Sequence, residues 1–87
     1  MRKTSRPNRR DLGRVLRALR KEAGLTLEAL GYRCALHDTY LGDVERGARN
    51  PSFDSIEKIL AGLGVNWERF GRELDSVAGN PSEEDSG

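Results

Sequence analysis

The sequence predicts an all-α domain of five short helices, and three observations lead there. Apolar residues recur at spacings of three and four in successive segments, the periodicity of one helix face. Residues suited to cap a helix start, Thr26, Ser52 and Asn66, alternate with glycines suited to end one, Gly24, Gly47 and Gly64. No stretch alternates apolar and polar residues as a half-buried strand does.

Residues 1–8, MRKTSRPN, carry three positive charges and Pro7 without apolar periodicity, and read as a flexible basic arm that either follows a groove in a polyanion or stays solvated. The first helix runs from Arg9 to Ala23. Leu12, Val15, Leu16 and Leu19 mark its inner face, with Arg10, Arg14, Arg17 and Lys21 on other faces. Thr26 opens a second helix whose Leu30 and Cys34 turn inward one turn apart. Leu36 leads into a third, where Tyr40, Leu41 and Val44 form the inner stripe and Asp38, Thr39, Gly42, Asp43 and Arg46 the outer side. Gly47 stops it, and Arg49-Asn50-Pro51-Ser52 turns the chain into a fourth helix with Phe53, Ile56, Ile59, Leu60 and Leu63 inward, ended by Gly62 and Gly64. Asn66 opens the fifth, where Trp67, Phe70, Leu74 and Val77 recur at helical spacing. The domain is therefore expected over residues 9–78, followed by a disordered acidic tail over 79–87, GNPSEEDSG.

Eighty-seven residues, 36% of them hydrophobic, suffice for one modest core and leave no room for a deep substrate cavity. A single cysteine closes no internal disulfide, and neither an apolar leader nor a membrane-length run is present, so a soluble cytoplasmic protein without membrane contact is expected. Catalytic residues are not expected. One His and one Cys three residues apart make neither a nucleophilic site nor a metal site, and no cofactor is implied.

The net charge of +1 conceals a division. Residues 1–36 hold ten Lys/Arg against Asp11, Glu22 and Glu28, a net of +7, whereas residues 37–87 hold five against eleven Asp/Glu, a net of −6. A basic end favours phosphate through counterion release; alternatively the two halves meet across a small fold. Two short amphipathic helices about a tight turn, the second with a polar outer side, are suited to presenting that second helix to a major groove.

Many spaced positions resemble the Cro/CI type of helix-turn-helix regulator: Leu19-Arg20-Lys21, Gly24-Leu25-Thr26, Leu30, Tyr40-Leu41, Val44-Glu45-Arg46-Gly47, Arg49-Asn50-Pro51-Ser52 and Leu63-Gly64-Val65. The match covers roughly residues 10 to 71, and the segment HDTYLGDVERGARNPS is similar to the controller proteins of restriction-modification systems. The resemblance implies a lambda-repressor-like five-helix domain that regulates transcription by binding double-stranded DNA as a homodimer on a near-palindromic operator. It also implies that Asp38, Thr39 and Asp43 approach base edges, that Arg46 and Arg49 lie near phosphate, and that Arg20 and Glu45 form a structural ion pair. Two positions depart from the family pattern. Leu27 stands where a phosphate-anchoring glutamine is usual, and Ala35 stands at the usual turn glycine.

Thr39 offers a hydroxyl and a methyl that suit many bases, and a carboxylate at Asp38 or Asp43 suits the cytosine amine. The competing roles are a first-turn acid favoured by the helix dipole for Asp38, and a solvated acid beside Arg46 or Arg33 for Asp43. Arg9, Arg10, Arg14 and His37 complete the expected phosphate contacts. Trp67 and Phe70 most simply close the monomer core, whereas Leu74 and Val77 extend beyond what a small domain needs to cover; a symmetric dimer through this end, with Trp67, Phe70, Leu74 and Val77 as its interface, is expected. The rival function is a protein-interaction module, antitoxin-like or an adaptor, that retains this fold with a protein partner instead of DNA.

Overall fold

The computed structural model describes residues 6–78, all of whose regular structure is helical: α1 (Arg9–Glu22), α2 (Leu27–Cys34), α3 (Asp38–Glu45), α4 (Phe53–Leu63) and α5 (Trp67–Ala78). Residues 1–5 of the expected arm and the expected tail over 79–87 lie outside the described residues.

Each helix starts where a side chain satisfies the open amides of its first turn. Asn8 and Asp11 form a capping box, Asn8 Oδ1 accepting from the Asp11 N–H at 2.9 Å and Asp11 Oδ2 from the Asn8 N–H at 3.1 Å. Asn8, expected in the arm, thus belongs to the folded domain. Thr26 accepts from Ala29 N–H, Ser52 from Ser55 N–H and Asn66 from Arg69 N–H, the three caps expected from sequence. His37 caps α3 through Nδ1, which accepts the Thr39 N–H at 3.2 Å. Left-handed residues end the helices: Gly24, Gly47 and Gly64 at φ of 74°, 79° and 73°. Gly62, expected to help end α4, stays helical and presses on Cys34 and Leu30, where a side chain would hold α2 and α4 apart.

Ala35 closes α2 at φ 59° and ψ 40°, a left-handed residue that is not glycine. Its Cβ makes that conformation costly by roughly 1 kcal/mol, yet the turn needs it to swing α3 across α2.

The core draws on every helix: Val15, Leu16 and Leu19 from α1, Leu30 and Cys34 from α2, Leu41 and Val44 from α3, Ile59, Leu60 and Leu63 from α4, and Phe70 from α5. Complete burial of each such side chain contributes about 1.5–3 kcal/mol, which outweighs the marginal helicity of eight-residue segments such as α2 and α3. Helix α1 packs against α3 and α5, and α2 against α3 and α4. The α1–α3 contact depends on Gly13, where a Cβ would meet the main-chain carbonyl oxygens of Glu45 and Val44, the latter at 2.5 Å. Helix α3 is thereby held between α1 and α2 with one side left to solvent.

Candidate nucleic-acid interface

Leu41 and Val44 are 2% and 1% exposed, so the inner face of α3 is anchored in the core and its polar residues have a fixed outward direction. Thr39 and Arg46 are exposed, while Asp38 and Asp43 are half-buried. Gly42, expected on the outer side, is buried, and a Cβ there would meet the Arg46 guanidinium at 3.3 Å and Leu27 Cδ1 at 3.6 Å, because Arg46 folds back across it. The outer surface is narrower than the sequence suggested.

Asp43 and Arg46 form an ion pair one helical turn apart, Nη2 to Oδ1 at 2.5 Å. Each is thus the other's partner in the free protein, and a phosphate approaching Arg46 competes with Asp43. His37 Nδ1 also lies 3.1 Å from Asp38 Oδ1. A nitrogen that accepts the Thr39 amide carries no proton, so the capping contact and a His37–Asp38 ion pair exclude one another. The capping geometry places Asp38 in the first turn of α3, where exposed amides favour its charge.

Arg49 lies over the Tyr40 ring, its guanidinium carbon 5.5 Å from the centroid, and Tyr40 donates its hydroxyl to Ser55 Oγ at 3.1 Å. The exposed Arg49 is thereby tied to α3, and Tyr40 in turn to α4. On the other flank, Gly47 packs on the Arg10 backbone, which sets the start of α1, with Arg9 and Arg10, beside the end of α3. Arg14, one turn further, approaches Asp11 at 4.0 Å.

Arg20 and Glu45 join α1 to the end of α3 through two parallel hydrogen bonds, Nε to Oε2 at 2.7 Å and Nη2 to Oε1 at 3.0 Å. The remaining Nη1 donates to the Leu25 carbonyl at 2.8 Å. The hydrogen bonds that Arg20 donates to the Glu45 carboxylate hold its guanidinium pKa above its ordinary value, against the opposing effect of burial. Neither side chain faces the outer surface of α3.

Residues 11–74 match the helix-turn-helix domain family. The chain belongs to the helix-turn-helix regulators. It is 46% identical over 54 residues to control protein C.BamHI of Bacillus amyloliquefaciens, covering 61% of this chain and 67% of that protein. It is 43% identical over 64 residues to control protein C.MunI of a Mycoplasma species, covering 72% of this chain and 86% of that one. The restriction-modification controller protein C.Esp1396I, solved as a tetramer with its natural 35 base-pair operator, superposes with a TM-score of 0.77 at 33% identity over 80% of this chain and 92% of that one.

In this helix-turn-helix regulator the four residues expected at a dimer interface separate. Phe70 is 4% exposed and belongs to the monomer core, which removes it from that set. Trp67 is 42% exposed and stacks on Phe53 with ring centroids 5.1 Å apart and planes 9° from parallel; Leu74 and Val77 are half-buried beside the core. Phe53, expected inside, is 67% exposed. As the first residue of α4 it projects past the end of the core, so its spacing with Ile56 gave the wrong direction. Among the described residues no helix is long and apolar enough to cross a membrane, and no three His, Cys, Asp or Glu are grouped to hold a metal.

Proposed function

We infer that this regulator binds duplex DNA sequence-specifically as a homodimer, inserting the outer side of α3 into the major groove. The single observation that carries the reading is the open polar strip of α3, backed by the fully buried Leu41 and Val44 and bordered by Arg46, Arg49 and the start of α1. A fold similar to that of a controller protein solved on its operator supports it. Arg9, Arg10, Arg14, His37, Arg46 and Arg49 contact phosphate and supply most of the affinity, while Thr39 with Asp38 and Asp43 selects the site. The ion pair of Asp43 with Arg46 makes selection and affinity interdependent: a base that engages Asp43 releases Arg46 to the backbone.

Two copies joined through the Phe53–Trp67 stack, with Leu74 and Val77 alongside, present two reading helices to successive major grooves about 34 Å apart, and the operator is then a near-palindrome. The protein acts in the cytoplasm, without catalysis of its own. A salt titration of binding to random duplex DNA, combined with the mass in solution, tests the reading. A steep loss of affinity with added salt and a dimer mass support it; indifference to DNA replaces it with the protein-interaction module. Arg46→Ala weakens binding to all sequences together, whereas Thr39→Ala changes which sequence is preferred.

A further inference from the structure

We propose that a basic ridge along α1, formed by Arg10, Arg14, Arg17 and Lys21, is a second phosphate-binding track that grips duplex DNA beside the groove occupied by α3. The inference rests on the DNA-binding reading above and adds Arg17 and Lys21, which that reading does not use. At 3.6 residues per turn, positions 10, 14, 17 and 21 fall within an arc of about 60° and extend over about 16 Å of helix. All four are exposed.

The two acids of α1 are held away from this arc or engaged at its end. Glu22 is bound by Arg69 of α5 at 2.8 Å, and Asp11 closes the capping box with Asn8 while approaching only Arg14. Among the described residues no hydrogen bond or ion pair engages Arg10, Arg17 or Lys21, so three cations stand in one line without a described partner.

The ridge is continuous with the α3 surface. Its first residue, Arg10, carries the backbone on which Gly47 rests, and the neighbouring flank of α1 holds Gly13 against the Glu45 carbonyl and Arg20 against the Glu45 carboxylate. Helix α1 therefore runs alongside the end of α3, and the ridge lies about 80° around α1 from that contact. The start of α2 is apolar at Leu27, which packs half-buried against Gly42. The polar anchor usual there is missing, which leaves phosphate contacts to be supplied by other residues. Duplex DNA carries one charge per about 1.7 Å of axis, so a basic line of this length meets phosphates along its whole extent.

The test compares wild-type protein with the double variant Arg17→Ala/Lys21→Ala on a random duplex from 50 to 200 mM salt, by fluorescence anisotropy. Two lost phosphate contacts reduce the magnitude of the slope of log affinity against log salt by about 1.8, so the variant loses roughly tenfold less affinity across that range. Arg17→Lys keeps the wild-type slope. Both alanines are on an exposed helix surface, and an unchanged melting temperature shows that the fold is retained. A folded double variant with the wild-type slope overturns the ridge and leaves the α3 reading intact, making the ridge a solvated face or one that meets an acidic protein. Failure of the wild-type chain to bind any duplex overturns both.

Discussion

Ala35 is the residue whose conformation departs furthest from its own preference, since a methyl-bearing residue occupies the left-handed turn between the two helices of the motif. Ala35→Gly relieves that conformation and is expected to stabilise the domain by about 0.5–1 kcal/mol, read from urea midpoints, with part of the gain offset by the more flexible unfolded chain. Arg20 behaves oppositely. Its side chain and that of Glu45 are 11% and 8% exposed, and Arg20→Ala leaves an unpaired buried carboxylate, destabilising by about 3–5 kcal/mol. The loss appears as unfolding before any loss of DNA affinity. Burial pushes the Cys34 thiol above its ordinary value. The folded thiol ionises less readily than the unfolded one, so its contribution is complete below the ordinary thiol range and is lost as pH rises from there through the raised value of the folded thiol. Ellman's reagent should react slowly with the native chain and rapidly in denaturant; fast reaction in the native state would contradict the burial.

At the scale of the element, two glycines inside helices have opposite roles. Helix propensity alone favours alanine over glycine by about 1 kcal/mol at an interior position. At Gly71 in α5 a Cβ meets nothing within 4 Å, so Gly71→Ala should stabilise by about that amount. At Gly13 the same methyl collides with the carbonyls ending α3, and overpacking outweighs propensity: Gly13→Ala is expected to destabilise by about 1–3 kcal/mol net and to displace α3. Thermal melts of the two variants should move in opposite directions. Periodicity and caps were legible along every element, because each is a local property of a few consecutive residues. The role of Gly13 was not, because the backbone it admits lies more than thirty residues away.

For the whole molecule, the exposed pair of Phe53 and Trp67 is the feature a monomer leaves unused. Phe53→Ser/Trp67→Ser should shift sedimentation from dimer toward monomer while the far-UV dichroism keeps its helical form, and an unchanged mass would place the interface elsewhere. The amphipathic pattern of α5 did not separate its buried residues from its exposed ones. Phe70 and Trp67 share a helix face, and only the packing of the other helices decided that one is covered by the monomer and the other stacks with Phe53 in solvent. The α3 surface was legible in the same partial way. Its exposed threonine and arginine were expected from the stripe opposite Leu41 and Val44, whereas the folding of Arg46 over Gly42 toward Asp43 depends on a rotamer that spacing does not specify.

Sequence by itself determined the five helices, most of their caps and stops, the family, and which side of α3 turns outward, since all of these follow from patterns repeated every few residues. Tertiary structure alone decided which surface charges are engaged across helices and which are open among the described residues: Glu22 of α1 is bound by Arg69 of α5, while no described partner engages Arg17 or Lys21. The reason is physical. Helix periodicity is imposed by backbone geometry within a segment, but the partner of a long charged side chain is set by where a different segment is packed, and that packing is a property of the assembled core.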